Sequence, residues 1–175
     1  MKLRIADMRD IPTLQALITR SGLALSEPYY TREQTVAITR HVFGVDSQLI
    51  VDRTYLVIDN DGVIVACGGW SKRRALFGGD QTKRGADPLL DPTSEPARIR
   101  AFFVEPNMAR RGLARELLQE CTRQARAAGF SSIELASTLP GEPLYAACGY
   151  LAVERFSLTL PGDIAVLLIR MRRDL

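Results

Sequence analysis

Residues 99 to 115 read Ile99-Arg100-Ala101-Phe102-Phe103-Val104-Glu105-Pro106-Asn107-Met108-Ala109-Arg110-Arg111-Gly112-Leu113-Ala114-Arg115. The apolar run up to Val104 has strand character, and Pro106 stops it. A short turn then leads into a helix that opens Arg-Arg-Gly-Leu-Ala. The first amides of a helix lack intrahelical partners, and the helix dipole adds partial positive charge there. Gly112 and Ala114 are small enough to let a ligand approach those amides, and Arg110 and Arg111 add full charges. The arrangement suits a pyrophosphate. Neither G-x-x-x-x-G-K-[ST] nor G-x-G-x-x-G between strand and helix is present. A tight turn at Gly112 flanked by two solvated arginines would give the same local pattern.

Downstream, Leu113, Ala114, Leu117, Leu118, Cys121, Ala125 and Ala128 recur at helical spacing, and Gly129 ends the run. Residues 132–136 form a strand, 143–148 a short helix closed by Gly149, and 150–160 and 164–172 a hairpin turned at Pro161-Gly162.

Upstream, residues 3–6 read as a first strand. Asp10 and Pro12 open a helix with Leu14, Leu17 and Ile18 on its apolar face and Gly22 at its end. After a Pro28-Tyr29-Tyr30 loop, Thr31 and Gln34 form a capping box for a second helix reaching about Phe43. Residues 54–58 and 63–70 are strands joined by Asp59-Asn60-Asp61-Gly62, whose Asp-Gly suits positive φ. Gly68-Gly69 points to a bulge or a close backbone approach. Residues 71–97 are a long surface loop, and 98–104 the strand quoted first. The order β-α-α-β-β-β-α-β-α-β-β predicts an α+β chain on a mixed, mainly antiparallel sheet.

At 175 residues the chain is about one domain long, so residues 1–175 are read as a single unit. Hydrophobic residues at 46% and charged residues at 25% exclude a disordered chain, a fibrous repeat and a coiled coil. No apolar run approaches the roughly 20 residues that span a bilayer. Lys2 and Arg4 stand where a signal peptide needs an apolar core. A soluble, cytoplasmic protein without membrane partners is expected. Cys67, Cys121 and Cys148 are widely spaced and His41 is the single histidine, which fits neither a disulfide framework nor a metal site. A net charge of +3 is too mild to imply nucleic-acid binding. The basic groups Lys72-Arg73-Arg74 and Lys83-Arg84 read as solvated surface.

Ala109-Arg110-Arg111-Gly112-Leu113-Ala114 resembles the [Q/R]-x-x-G-x-[G/A] motif of the GNAT superfamily of N-acetyltransferases, with Ala109 at the usual Gln or Arg position. Leu144-Tyr145-Ala146-Ala147-Cys148-Gly149-Tyr150 resembles the family's second signature, [F/L]-Y-x-x-x-G-[F/Y]. The order of elements fits nearly throughout. The resemblance implies a twisted central sheet of about seven strands flanked by about four helices, and acetyl-CoA as acetyl donor with no metal. It places the pantetheine arm on the backbone of Phe102, Phe103 and Val104 and the pyrophosphate on the amides from Arg110 through Arg111, Gly112, Leu113 and Ala114 to Arg115. Tyr145 matches the tyrosine near the departing thiolate, and an amide near Val104 would polarise the thioester oxygen.

Many relatives carry a glutamate where this chain has Arg98, which cannot act as a base. Arg98 and Arg100 lie on one side of their strand by alternation, free to bind an acid group on the acceptor or to pair with Glu95 or Glu105. Glu134 through a water chain is another route for the proton. Tyr29, Tyr30, Trp70 and the 71–97 loop are candidates for the acceptor wall. Cys148 reads as packing, since no histidine lies near it in sequence. The expected activity is acetyl transfer to a primary amine of a small molecule or protein, by direct attack. The alternative is a domain of the same fold that binds acyl-CoA without turnover. The resemblance also admits a homodimer.

Overall fold

The computed structural model describes residues 1–175. Seven strands form one sheet in the order β1-β2-β3-β4-β5-β7-β6. They are β1 (Lys2–Ile5), β2 (Tyr55–Asn60), β3 (Val63–Ser71), β4 (Ala97–Val104), β5 (Ser132–Ser137), β6 (Leu151–Leu160) and β7 (Ile164–Asp174). Only β4 and β5 run parallel; every other neighbouring pair is antiparallel. The helices are α1 (Ile11–Ser26), α2 (Arg32–His41), α3 (Ser47–Val51), α4 (Leu113–Ala127) and α5 (Glu142–Ala147). No helix is long and apolar enough to cross a membrane.

Local chemistry sets most boundaries. Thr31 Oγ1 accepts from the Gln34 amide at 3.2 Å, and Gln34 Oε1 accepts from the Thr31 amide at 3.0 Å, so both halves of the expected capping box form. Asp61 (φ +51°) and Gly62 (φ +89°) turn the β2–β3 hairpin, as the Asp-Gly pair predicts. Gly129 (φ +92°) lies just past the end of α4.

Three expectations need correction. Gly22 does not end α1, which continues to Ser26. It is an interior glycine because a Cβ there would stand 2.7 Å from the Phe43 ring, so α2's end packs directly on α1's backbone. α2 stops at His41, short of Phe43. The fifth helix, α3, has five residues, too few to show a period.

The sheet separates two apolar bodies. On one face α4 buries Leu117, Leu118 and Cys121 against Trp70, Ile99, Ile133 and Leu135. On the other, α1 and α3 bury Leu14, Leu17, Ile18 and Leu49 against Tyr55, Val57 and Cys67. A third cluster joins α2, through Ile38 and Val42, to Val166 and Leu168 of β7. Residues 71–97 are tied down. Arg73 forms a two-bond pair with Asp52, at 2.7 and 2.9 Å. Lys83 pairs with Asp46, which is buried, and with Asp80. Arg73 and Lys83 are therefore anchors of the loop, where solvated surface was expected.

Candidate active site

β4 and β5 pair only at Ala97–Ile133 and Arg98–Glu134, and then part. The cause lies on the other edge of β4. Its register with β3 shifts between Cys67 and Gly69, where β4 carries one extra residue. Ala101 there has φ +56°. A bulge of this kind bends the strand that carries it. Ala97 and Ile99 before it and Phe102 and Val104 after it pack on the α4 side, whereas Ala101 and Phe103 pack on the α1 side. Gly68 sits beneath the Phe102 ring, and a Cβ there would approach that ring to 2.6 Å. The bulge that Gly68-Gly69 pointed to is thus carried by the facing strand, at Ala101, and Gly68 gives the close approach, to the Phe102 ring.

The gap between the parted strands opens a cavity of about 740 Å³. Phe102, Phe103, Val104, Arg110, Gly112, Ala114, Arg115 and Tyr145 all line it. Arg111 is exposed and does not line the cavity, and the Leu113 side chain is buried in the α4-side core. Those two can offer only backbone amides to a ligand.

Arg110 (φ +64°) and Gly112 (φ +87°) are both left-handed, curling the backbone ahead of α4 into the kind of concavity that gathers amides. No side chain caps α4. The first of its amides with a partner is that of Glu116, bonded to the Gly112 carbonyl at 3.0 Å. A Cβ on Gly112 would meet nothing within 4 Å, so the space in front of the free amides is open. These residues fit the diphosphate of a CoA molecule. A smaller groove of about 450 Å³ shares Arg115 and adds Arg126 and Arg173 beyond the α4 start.

Tyr145 is 8% exposed, with its ring edge-on to Phe102 at 6.4 Å and Tyr150 at 5.7 Å. Burial pushes its phenol well above the ordinary tyrosine value, so it holds its proton at neutral pH and is placed there as an acid, not a base. The Val104 amide, expected to face the thioester oxygen, donates to Ser21 Oγ at 3.2 Å. Ser21 is buried and also lines the cavity. The sequence held a signal for it: Ser21 continues the apolar stripe of Leu14, Leu17 and Ile18, where a hydroxyl is out of place.

The acceptor candidates divide. Tyr29 lines the cavity and is exposed. Tyr30 is buried, its hydroxyl donating to the Leu167 carbonyl at 2.7 Å and accepting from the Leu139 amide at 2.9 Å, so it fastens the α1–α2 connection to the sheet. Trp70 points to the opposite face, where its indole N–H donates to Gln124 Oε1 at 2.9 Å. Leu76, Phe77, Gly78 and Gly79 bring the 71–97 loop into the cavity wall, and Phe77 stacks on Phe156 at 6.2 Å.

The two strand arginines do share a side, but they are not free. Arg98 pairs with Glu134 at 3.4 Å, not with Glu95 or Glu105, which pair with Arg74 and Arg20. Arg100 meets Asp46 at 2.8 Å and Asp87 at 3.3 Å, and donates to the Gly78 carbonyl at 2.9 Å. Arg98, Glu134, His41 and Cys148 all lie outside the cavity lining.

The sequence model of the acetyltransferase (GNAT) family matches residues 19–150. No curated protein matches the chain. Among solved structures, a GCN5-related N-acetyltransferase from Rhodopseudomonas palustris is similar at TM-score 0.71 and 18% identity, covering 99% of this chain and 95% of that one. YncA from Salmonella typhimurium, described as a putative acetyltransferase with acetyl-CoA, is similar at TM-score 0.66 and 15% identity, with coverages of 100% and 94%. The PaiA N-acetyltransferase of Thermoplasma acidophilum, in complex with coenzyme A, is similar at 0.65 and 11%, covering 99% and 98%. The parted strands, the open helix start and the family match over three quarters of the chain agree: this chain belongs to the GNAT family of acetyltransferases.

Proposed function

We propose that the protein is an acetyl-CoA-dependent N-acetyltransferase that acts on a primary amine by direct attack. One observation carries the reading. A single cavity joins the unpaired amides at the start of α4, the freed edge of β4 and the Tyr145 ring. Bound acetyl-CoA supplies a thioester: the amine lone pair forms the C–N bond, the C–S bond breaks, and the nitrogen's proton ends on sulfur.

The residues divide the work. The amides from Arg110 to Arg115 hold the diphosphate, and Arg115, Arg126 and Arg173 offer cations to the nucleotide's further phosphate. The backbone of Phe102 to Val104 aligns the pantetheine arm as an added strand would. Tyr145 gives its proton to the departing thiolate and takes one back from the acetylated nitrogen through water. Holding both reactants in one cleft supplies much of the acceleration.

Thermal unfolding tests the donor site, with CoA and ATP as comparators. Ligand at about a hundred times Kd adds ~2.7 kcal/mol, a rise of roughly 5 to 10 °C at this size. A rise with acetyl-CoA and CoA but little with ATP is expected. No rise at millimolar acetyl-CoA would remove the proposal. A second reading, acyl-CoA binding without turnover, is favoured by the lack of any carboxylate or histidine in the cavity lining. Thiol release separates the two.

A further inference from the structure

The end of the cavity away from α4 is an apolar chamber. Leu25, Val42, Phe43, Leu76, Phe77 and Leu168 form its wall. The Gly79 amide donates to the Val42 carbonyl at 3.0 Å, so the 71–97 loop and the end of α2 close it together. Burial of apolar ligand surface against such a wall is favourable. An ionised group entering it needs a partner.

The charges there pair among themselves, and none of the carboxylates lines the cavity. Arg100, 4% exposed, is the cation at this end, and it faces both Asp46 and Asp87. With Lys83 and Asp80, the cluster sets three carboxylates against two cations. Arg100 Nε is buried and unpartnered. A carboxylate brought to it would still meet Asp46 and Asp87 just behind, so this arginine does not favour an acidic acceptor. The titratable groups that face the cavity are Tyr29, Arg100, Arg110, Arg115 and Tyr145. A guanidinium has donors and no acceptor, and Tyr145 is held protonated by burial. None of these four takes a proton from an ammonium at neutral pH, and Tyr29 is a phenol on the exposed rim.

We infer that the acceptor is a primary amine on an apolar or aromatic body without a carboxylate, and that it reaches the cleft already neutral. This rests on the acetyl-transfer reading above. A polyamine or an amino acid would bring charges that the chamber does not match. An amine that loses its proton in water, before entry, makes the rate follow the fraction of free base.

The experiment compares phenethylamine, phenylalanine and spermidine with the full chain. Two readouts are used: thermal unfolding of the CoA-loaded protein with each amine, and thiol release from acetyl-CoA. Phenethylamine is expected to stabilise the CoA-loaded protein and to show a kcat/KM at least about tenfold above the other two, a difference of ~1.4 kcal/mol. Its log kcat/KM should rise with unit slope toward the amine's own pKa, ~10 for an alkylamine. Leu25→Glu, a change on a half-buried wall residue, should raise the KM for phenethylamine and leave stabilisation by acetyl-CoA unchanged. Equal or better turnover of phenylalanine or spermidine would overturn the inference. So would a plateau near neutral pH, which would reveal a base on the protein. Stabilisation by acetyl-CoA with no binding or turnover of phenethylamine would overturn it alone. No stabilisation by acetyl-CoA would overturn the transfer reading and this inference together.

Discussion

The amide of Val104 and the hydroxyl of Ser21 stand 3.2 Å apart, so α1 reaches across the cleft to the freed edge of β4. Past the bulge, β4 has no hydrogen bonds to β5, and an amide there needs an acceptor from elsewhere. Ser21 provides one until a ligand does.

Ser21→Ala removes that acceptor. Loss of one intramolecular hydrogen bond at a half-buried amide costs about 0.5 to 1.5 kcal/mol, a fall in Tm of roughly 1 to 6 °C. Saturating acetyl-CoA should narrow the gap to wild type, because the ligand supplies the missing acceptor. A gap that stays constant in scans with and without acetyl-CoA would show that the Val104 amide does not touch the ligand.

Tyr145→Phe keeps the ring contacts with Phe102 and Tyr150 and removes only the hydroxyl. Stability and CoA affinity should hold, while kcat falls by about a hundredfold, the low end of what general acid–base catalysis contributes. Steady-state thiol release with a reactive amine checks this. An unchanged kcat would take Tyr145 out of the chemistry.

Gly68→Ala places a methyl 2.6 Å from the Phe102 ring and pushes that ring out of position. The cleft wall moves with it, and CoA affinity should drop by about tenfold, or ~1.4 kcal/mol. Adding Phe102→Ala removes the collision. The double variant should therefore bind CoA better than Gly68→Ala alone, a non-additive result that calorimetry reads directly.

Asp52 ties the 71–97 loop to α3 through Arg73, and that hydrogen-bonded guanidinium holds its carboxyl below the usual range. A carboxylate with a folded pKa below its unfolded value stabilises fully above about pH 4 and loses the effect as pH falls through the folded pKa. Asp52→Asn should cost about 2 kcal/mol at neutral pH, in the range of hydrogen bonds to charged groups. The gap to wild type should close as pH falls below about 4 and through the folded pKa. Urea unfolding across that range tests it; a gap unchanged at the acid end would mean that Asp52 works through packing alone.

What could be read in advance was local. The Thr31–Gln34 box, the Asp61-Gly62 turn and the stop at Gly129 each depend on a few adjacent residues, and each formed. The glycine and small residue at the α4 start fitted a tight turn and an anion site equally, and only the resemblance to a known family separated the two. Gly22 misled because its reason to be glycine is Phe43, a residue 21 positions on, just past the end of α2. Trp70 misled because the pairing of β3, not its own neighbours, sets which face it takes. Arg73, Lys83 and Arg100 seemed free because their partners lie far along the chain, Asp46 and Asp52 foremost.

Ala101 was invisible to patterning for a reason of its own. It is surplus to the ladder, and its removal would leave Ile99, Phe102 and Val104 on the faces they now occupy. Composition and core would survive the deletion almost intact. What would go is the mismatch in length between two strands fastened side by side. A longer strip bonded to a shorter one must bow, as a bimetal blade bows when its two metals expand unequally, and the cleft is the shadow of that bow. A chain shortened at Ala101 should fold, melt cooperatively and have no room between β4 and β5 for anything at all.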